Sequence, residues 1–156
     1  MNDITVASSP LRPVDAVVVG ASAGGVEALL TIFEGLGPDF GLPIIVVLHL
    51  PDAHRSQLAE VFARRLALRV KEATDKEPIS PGTVYFAAPG YHLSVEGDYS
   101  FSFSQEARVH YSRPAIDYLF ESAADAYQHR LAAILLTGAN QDGAQGLYTV
   151  KQRGGL

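Results

Sequence analysis

The sequence contains no cysteine, which excludes a disulfide framework, thiolate catalysis and thiolate metal sites. Basic residues are scarce: 12 Lys and Arg stand against 17 Asp and Glu, a formal charge of −5, with no basic stripe along the chain. Nucleic-acid binding, which draws its affinity from phosphate neutralisation, is therefore not expected. No apolar run approaches the roughly 20 residues that span a bilayer, so no membrane insertion is expected. The N-terminus lacks the basic-then-apolar layout of a secretory signal; residues 1–13 read as a flexible tail, and a cytoplasmic address is the simplest expectation. The one glycine-rich loop near the N-terminus is followed by no lysine, which excludes a phosphate-binding P-loop there.

What is present is a chain of 156 residues, 47% hydrophobic, enough for one domain with a substantial core. Four apolar runs, Ala16–Val19, Ile44–Leu48, Val84–Ala87 and Leu131–Leu136, lack strict alternation, as strands of a parallel sheet covered on both faces do. Arg69–Ala73 is a weaker fifth strand. Helical periodicity falls on Val26–Phe33, on Ser56–Leu66 with Leu58, Val61, Phe62 and Leu66 on one face, and on a segment opening at Pro114. A fourth helix is expected after Asp142. Leu93–Val95 and Tyr99–Ser104, joined by Glu96-Gly97-Asp98, read as a β-hairpin. The predicted fold is a three-layer α/β/α sandwich, doubly wound on a mostly parallel sheet, with one antiparallel hairpin.

The first strand runs into Gly20-Ala21-Ser22-Ala23-Gly24-Gly25 and then a helix. Gly-x-Ser-x-Gly between strand and helix is the setting in which a serine hydroxyl becomes a nucleophile, the glycines being read as permitting a tight turn. The N–H groups opening the helix would suit an anion or an oxyanion. A dinucleotide fingerprint fits worse, because Ser22 occupies its middle glycine position. A plain strand-to-helix connection is the alternative.

Chemistry in an open parallel sheet collects at the carboxyl ends of the strands. Ser22 follows the first strand, His49 ends the second, and Asp142 follows the strand Leu131–Leu136, so one rim should carry all three. Hydroxyl, imidazole and carboxylate are the parts of a nucleophile–base–orienter relay. The bland readings are a half-buried structural histidine and an aspartate that caps the helix behind it. His54, His92, His110 and His129 read as surface or loop residues, with His92 the best substitute for His49. His49, Asp52 and His54 match no familiar metal spacing, and neither metal nor cofactor is expected.

Five segments in order now carry a resemblance: Gly20–Gly25, Val47-Leu48-His49-Leu50-Pro51, Tyr85–Leu93, Ser112-Arg113-Pro114-Ala115-Ile116-Asp117, and Leu136–Ala144. From about Val14 to the C-terminus the chain resembles the catalytic domain of the bacterial chemotaxis methylesterase CheB. The resemblance implies hydrolysis of γ-glutamyl methyl esters on the cytoplasmic helices of methylated chemoreceptors, and deamidation of certain receptor glutamines. It places the catalytic residues on Ser22, His49 and Asp142. Ala23 would give one backbone oxyanion donor, and the Gly138–Asn140 loop, at Ala139, another. Arg113 would pair with a nearby carboxylate or meet acidic groups of the receptor.

Three departures from the family pattern stand out. Fewer than twenty residues precede the first strand, so the receiver-domain switch of the family's regulated members is not expected in this chain. The loop Gly138-Ala139-Asn140-Gln141-Asp142-Gly143 differs from the usual Gly-Met-Gly-Asn-Asp-Gly. The family continues past Leu156 with another strand and helix, so residues 14–156 are expected to lack that element, and the exposed sheet edge would favour a homodimer. The alternative reading is a non-catalytic module that keeps the fold and docks on receptors or signalling proteins.

Overall fold

The computed structural model describes residues 13–49, 57–136 and 141–156. Five strands, β1 (Ala16–Ser22), β2 (Ile44–His49), β3 (Arg69–Glu72), β4 (Thr83–Phe86) and β7 (Leu131–Leu136), form a sheet in the order β3-β4-β2-β1-β7. Every pairing in it is parallel. β5 (His92–Val95) and β6 (Phe101–Ser104) form a separate antiparallel pair. The helices are α1 (Val26–Glu34), α2 (Leu58–Arg65), α3 (Ile116–Tyr127) and α4 (Ala144–Gln152).

Alternation along each strand sorts the core into two halves. Val19 and Ala21 of β1 pack with Ile44, Val46 and Leu48 of β2 against Leu29, Leu30 and Phe33 of α1 and Phe62 of α2. Ala16 and Val18 join Ile45 and Val47 on the other face, beneath α3, Val150 of α4, and Leu93, Val95 and Phe101 of the β5–β6 pair. The sheet is covered on both sides, which is why its inner strands β4, β2 and β1 read as apolar runs. The three-layer architecture is the one expected.

Local details differ from the expectations. β1 continues three residues past Val19, and the chain turns only after Ser22, in a 3-10 turn over Ala23–Gly25. α3 begins at Ile116, two residues after Pro114, because Ala115 is still extended. Val61 points outward, 40% exposed, while Phe62 alone of α2 is fully buried. The start of that helix at Ser56 lies outside the described residues. Tyr99 belongs to the hairpin turn, with φ 63°, not to a strand.

The hairpin tip lies at the far end of the molecule from the strands' carboxyl ends. Ser122 Oγ receives the Val95 N–H at 3.0 Å, Tyr99 packs on Tyr127 at 5.0 Å between centroids, and Arg130 links Tyr99 to Asp15 just before β1. β1 separates that end from Ser22 by roughly 20 Å. At the other edge of the sheet, Leu156 exchanges backbone hydrogen bonds with Leu131 and Ala133 and so lies extended beside β7.

Candidate active site

The glycine at position 20 has a packing role rather than a turning one. A Cβ there would stand 2.5 Å from Cγ2 of Ile116, so the first turn of α3 rests directly on the β1 backbone. Gly20 and Ser22 share one face of β1, two residues apart, which puts the start of α3 behind the serine. Ser22 itself is extended, φ −93° and ψ 175°, and its side chain makes no hydrogen bond among the described residues. Ser22 thus ends a regular strand, and the turn into α1 follows it directly over Ala23–Gly25, with the N–H groups of Ala23 and Gly24 next after the serine.

His49 is the register partner of Ser22 on the neighbouring parallel strand, so both side chains leave the sheet on the α3 face, from backbones about 4.8 Å apart. The imidazole is 15% exposed, and its Nε2 stands 2.8 Å from Oδ2 of Asp142. Asp142 is fully buried. It does not cap α4, the helix behind it; its Oδ2 accepts the Ile116 N–H at 2.6 Å and its Oδ1 the Asp117 N–H at 2.8 Å. The carboxylate thus caps α3 from outside and reaches His49 from the same position. Burial pushes the Asp142 carboxyl up, but the contact with His49 and the N–H groups of Asp117 and Ile116 outweigh it and hold the group below the ordinary carboxylate range. It is an anion fixed by the positive end of a helix and facing an imidazole.

The other candidates fall elsewhere. His92 is wholly buried, contrary to the expectation of a surface residue. Its Nε2 meets the Ala107 carbonyl at 2.9 Å, its Nδ1 accepts the Ala115 N–H at 3.2 Å, and its ring stacks on Tyr118. With both nitrogens spent on backbone, His92 ties the loop before α3 to the helix start and cannot substitute for His49. His110 is partly exposed, 3.6 Å from Asp117, and His129 is exposed. Among the described residues Arg113 pairs with no carboxylate; its Nη1 donates to the carbonyls of Gln105 and Glu106 at 3.1 and 3.3 Å, bracing the same loop. Asp52, His54 and Ala139 lie outside the described residues. The residue whose place the sequence reading left unassigned is Asp117, a buried carboxylate in the first turn of α3 that accepts the N–H groups of Gly143 and Gly146. An aspartate inside the apolar stripe of a helix was its signal.

Ser22, His49 and Asp142 thus converge on the face and rim that the strand order dictates. The sequence of residues 17–156 matches the family model described as CheB methylesterase. The chain belongs to the CheB methylesterase family. A Leptospira interrogans relative, provisionally named protein-glutamate methylesterase/protein-glutamine glutaminase, is 46% identical over 142 residues, covering 91% of this chain and 74% of its own. A Caulobacter vibrioides protein-glutamate methylesterase/protein-glutamine glutaminase is 38% identical over 95% of this chain, which spans 44% of it. The crystal structure of the Thermotoga maritima CheB methylesterase catalytic domain superimposes with a TM-score of 0.86 at 35% identity, over 92% of this chain and 78% of that one. The CheB fold is therefore shared through both layers of helices and the sheet between them.

Proposed function

We propose that this chain is a protein-glutamate methylesterase, hydrolysing γ-glutamyl methyl esters on the cytoplasmic helices of chemoreceptors and deamidating receptor glutamines by the same acyl transfer. The observation that carries the mechanism is the His49–Asp142 contact of 2.8 Å beside a serine in register with that histidine. Ser22 Oγ attacks the ester carbonyl. Nε2 is turned to the carboxylate, so Nδ1 of His49 is the nitrogen that takes the serine proton and later returns it to the departing methanol. Asp142 fixes the ring and stabilises the imidazolium. The Ala23 N–H, opening the turn after the nucleophile, supplies one donor to the tetrahedral oxyanion. Water then hydrolyses the acyl-enzyme by the reverse proton path. A glutamine side chain presents the same acyl carbon with ammonia as leaving group, which is why both activities fit one site.

A cytoplasmic setting follows from that substrate, and no helix among the described residues is long and apolar enough to cross a membrane. The test against the docking-module alternative is labelling with a fluorophosphonate probe. The methylesterase reading expects stoichiometric labelling of Ser22 that Ser22→Ala abolishes and His49→Ala slows strongly. A folded chain that the probe leaves unlabelled would favour the docking module.

A further inference from the structure

The first turns of α3 and α4 hold each other. Asp142, just before α4, accepts the N–H groups of Ile116 and Asp117 in α3, while Asp117 Oδ1 accepts those of Gly143 and Gly146 at 2.9 and 2.7 Å. Asp117 is thus both donor, through its backbone, and acceptor, through its side chain, in one closed ring of buried hydrogen bonds. The two glycines are shaped for it. A Cβ at Gly143 would stand 2.5 Å from Leu135, and its φ of +106° disfavours any side chain. A Cβ at Gly146 would stand 2.6 Å from Cβ of Phe120 and 3.2 Å from Asp117 Oδ1. These N–H groups are therefore met closely by a carboxylate from the neighbouring helix and by no side chain of their own.

We propose that Asp117 is a positioning residue for the relay: by gripping Gly143 and Gly146 it fixes the backbone on which Asp142 sits, and so sets the 2.8 Å contact with His49. This rests on the reading that His49 and Asp142 serve Ser22. One oxygen, Oδ1, makes both bonds, while Oδ2 lies 3.6 Å from Nε2 of His110. Asparagine can therefore replace Asp117 with its single carbonyl oxygen in the Oδ1 place, whereas alanine cannot.

The test measures kcat and KM for p-nitrophenyl acetate, well below the melting temperature, in the wild type, Asp117→Ala, Asp117→Asn and Ser22→Ala. The expected result is kcat at least tenfold lower in Asp117→Ala with KM within about twofold, and Asp117→Asn within about threefold of the wild type in both. A merely structural role would lower the melting temperature of Asp117→Ala and leave kcat of the folded protein intact, which would overturn the proposal. Equal losses in Asp117→Ala and Asp117→Asn would overturn it too. If Asp117→Ala does not fold, Asp117→Ser, too short to reach both N–H groups, takes its place with the same criteria, and loss of kcat in Asp117→Asn alone refutes the proposal. Wild-type turnover in Ser22→Ala would instead sink the relay itself, whatever Asp117 does.

Discussion

Replacing Asp142 with asparagine alters one atom and should nevertheless destabilise the fold. The carboxylate receives the Ile116 N–H at 2.6 Å and the Asp117 N–H at 2.8 Å on different oxygens. Asparagine has one acceptor oxygen and one NH2, so in either orientation a buried N–H faces another donor. An unsatisfied buried donor costs about 1–3 kcal/mol, and the remaining bond loses its charge assistance, giving a total of about 2–4 kcal/mol. That is a large share of the roughly 5–15 kcal/mol that holds a domain together. Urea denaturation of the wild type and Asp142→Asn at neutral pH should show this gap. The gap should also depend on acidity. The Asp142 pKa is lowered in the fold, so its contribution is complete above the unfolded value near 3.8 and is lost as pH falls through the folded value. Asparagine does not titrate, so the gap should begin to narrow only below pH 3.8 and close as pH falls through the lowered folded value. Equal stability at pH 7, or a gap unchanged at the lowest pH at which both proteins fold, would refute the reasoning.

Two further outcomes follow from the packing. Gly20→Ala sets a Cβ 2.5 Å from Ile116 and should cost about 1–3 kcal/mol by overpacking while displacing the start of α3 and lowering esterase activity; an unchanged melting temperature and activity would contradict that contact. Burial, with Tyr99 and Asp15 adding to it and Arg130 opposing, pushes the Tyr127 hydroxyl up to about 12 from 10.0. The folded state thus favours the neutral phenol, and that contribution is present below pH 10 and lost between about 10 and 12. Tyr127→Phe should therefore gain stability relative to the wild type across that window, as urea midpoints at pH 9 and pH 11.5 would show, and a constant difference would count against it.

The sheet was legible because burial on both faces leaves an unbroken apolar run: Ile44–Leu48, read as a strand in the sequence, is the wholly buried part of β2. Ser22, His49 and Asp142 were legible because strand ends in a parallel sheet share a rim. What could not be read was contact between elements. Gly20 signalled a turn by local rules, yet its reason lies 96 residues away in Ile116. Asp142 before a helix suggested a cap of that helix, and only the packing of α3 against α4 exchanges the caps. His92 looked like a loop residue because nothing nearby in sequence tells that two backbone groups, at Ala107 and Ala115, would meet its nitrogens. Arg113 invited a carboxylate partner, and the loop's own carbonyls took its place.

Release of methanol from a methylated chemoreceptor signalling fragment, compared between the wild type and Ser22→Ala, tests the central claim most directly. The Ser22 side chain makes no hydrogen bond among the described residues. The variant should therefore melt within about 0.5 kcal/mol of the wild type, so that lost activity reports chemistry alone. The account predicts methanol release by the wild type and a rate at least about a thousandfold lower in Ser22→Ala. Undiminished release by the folded variant would contradict it.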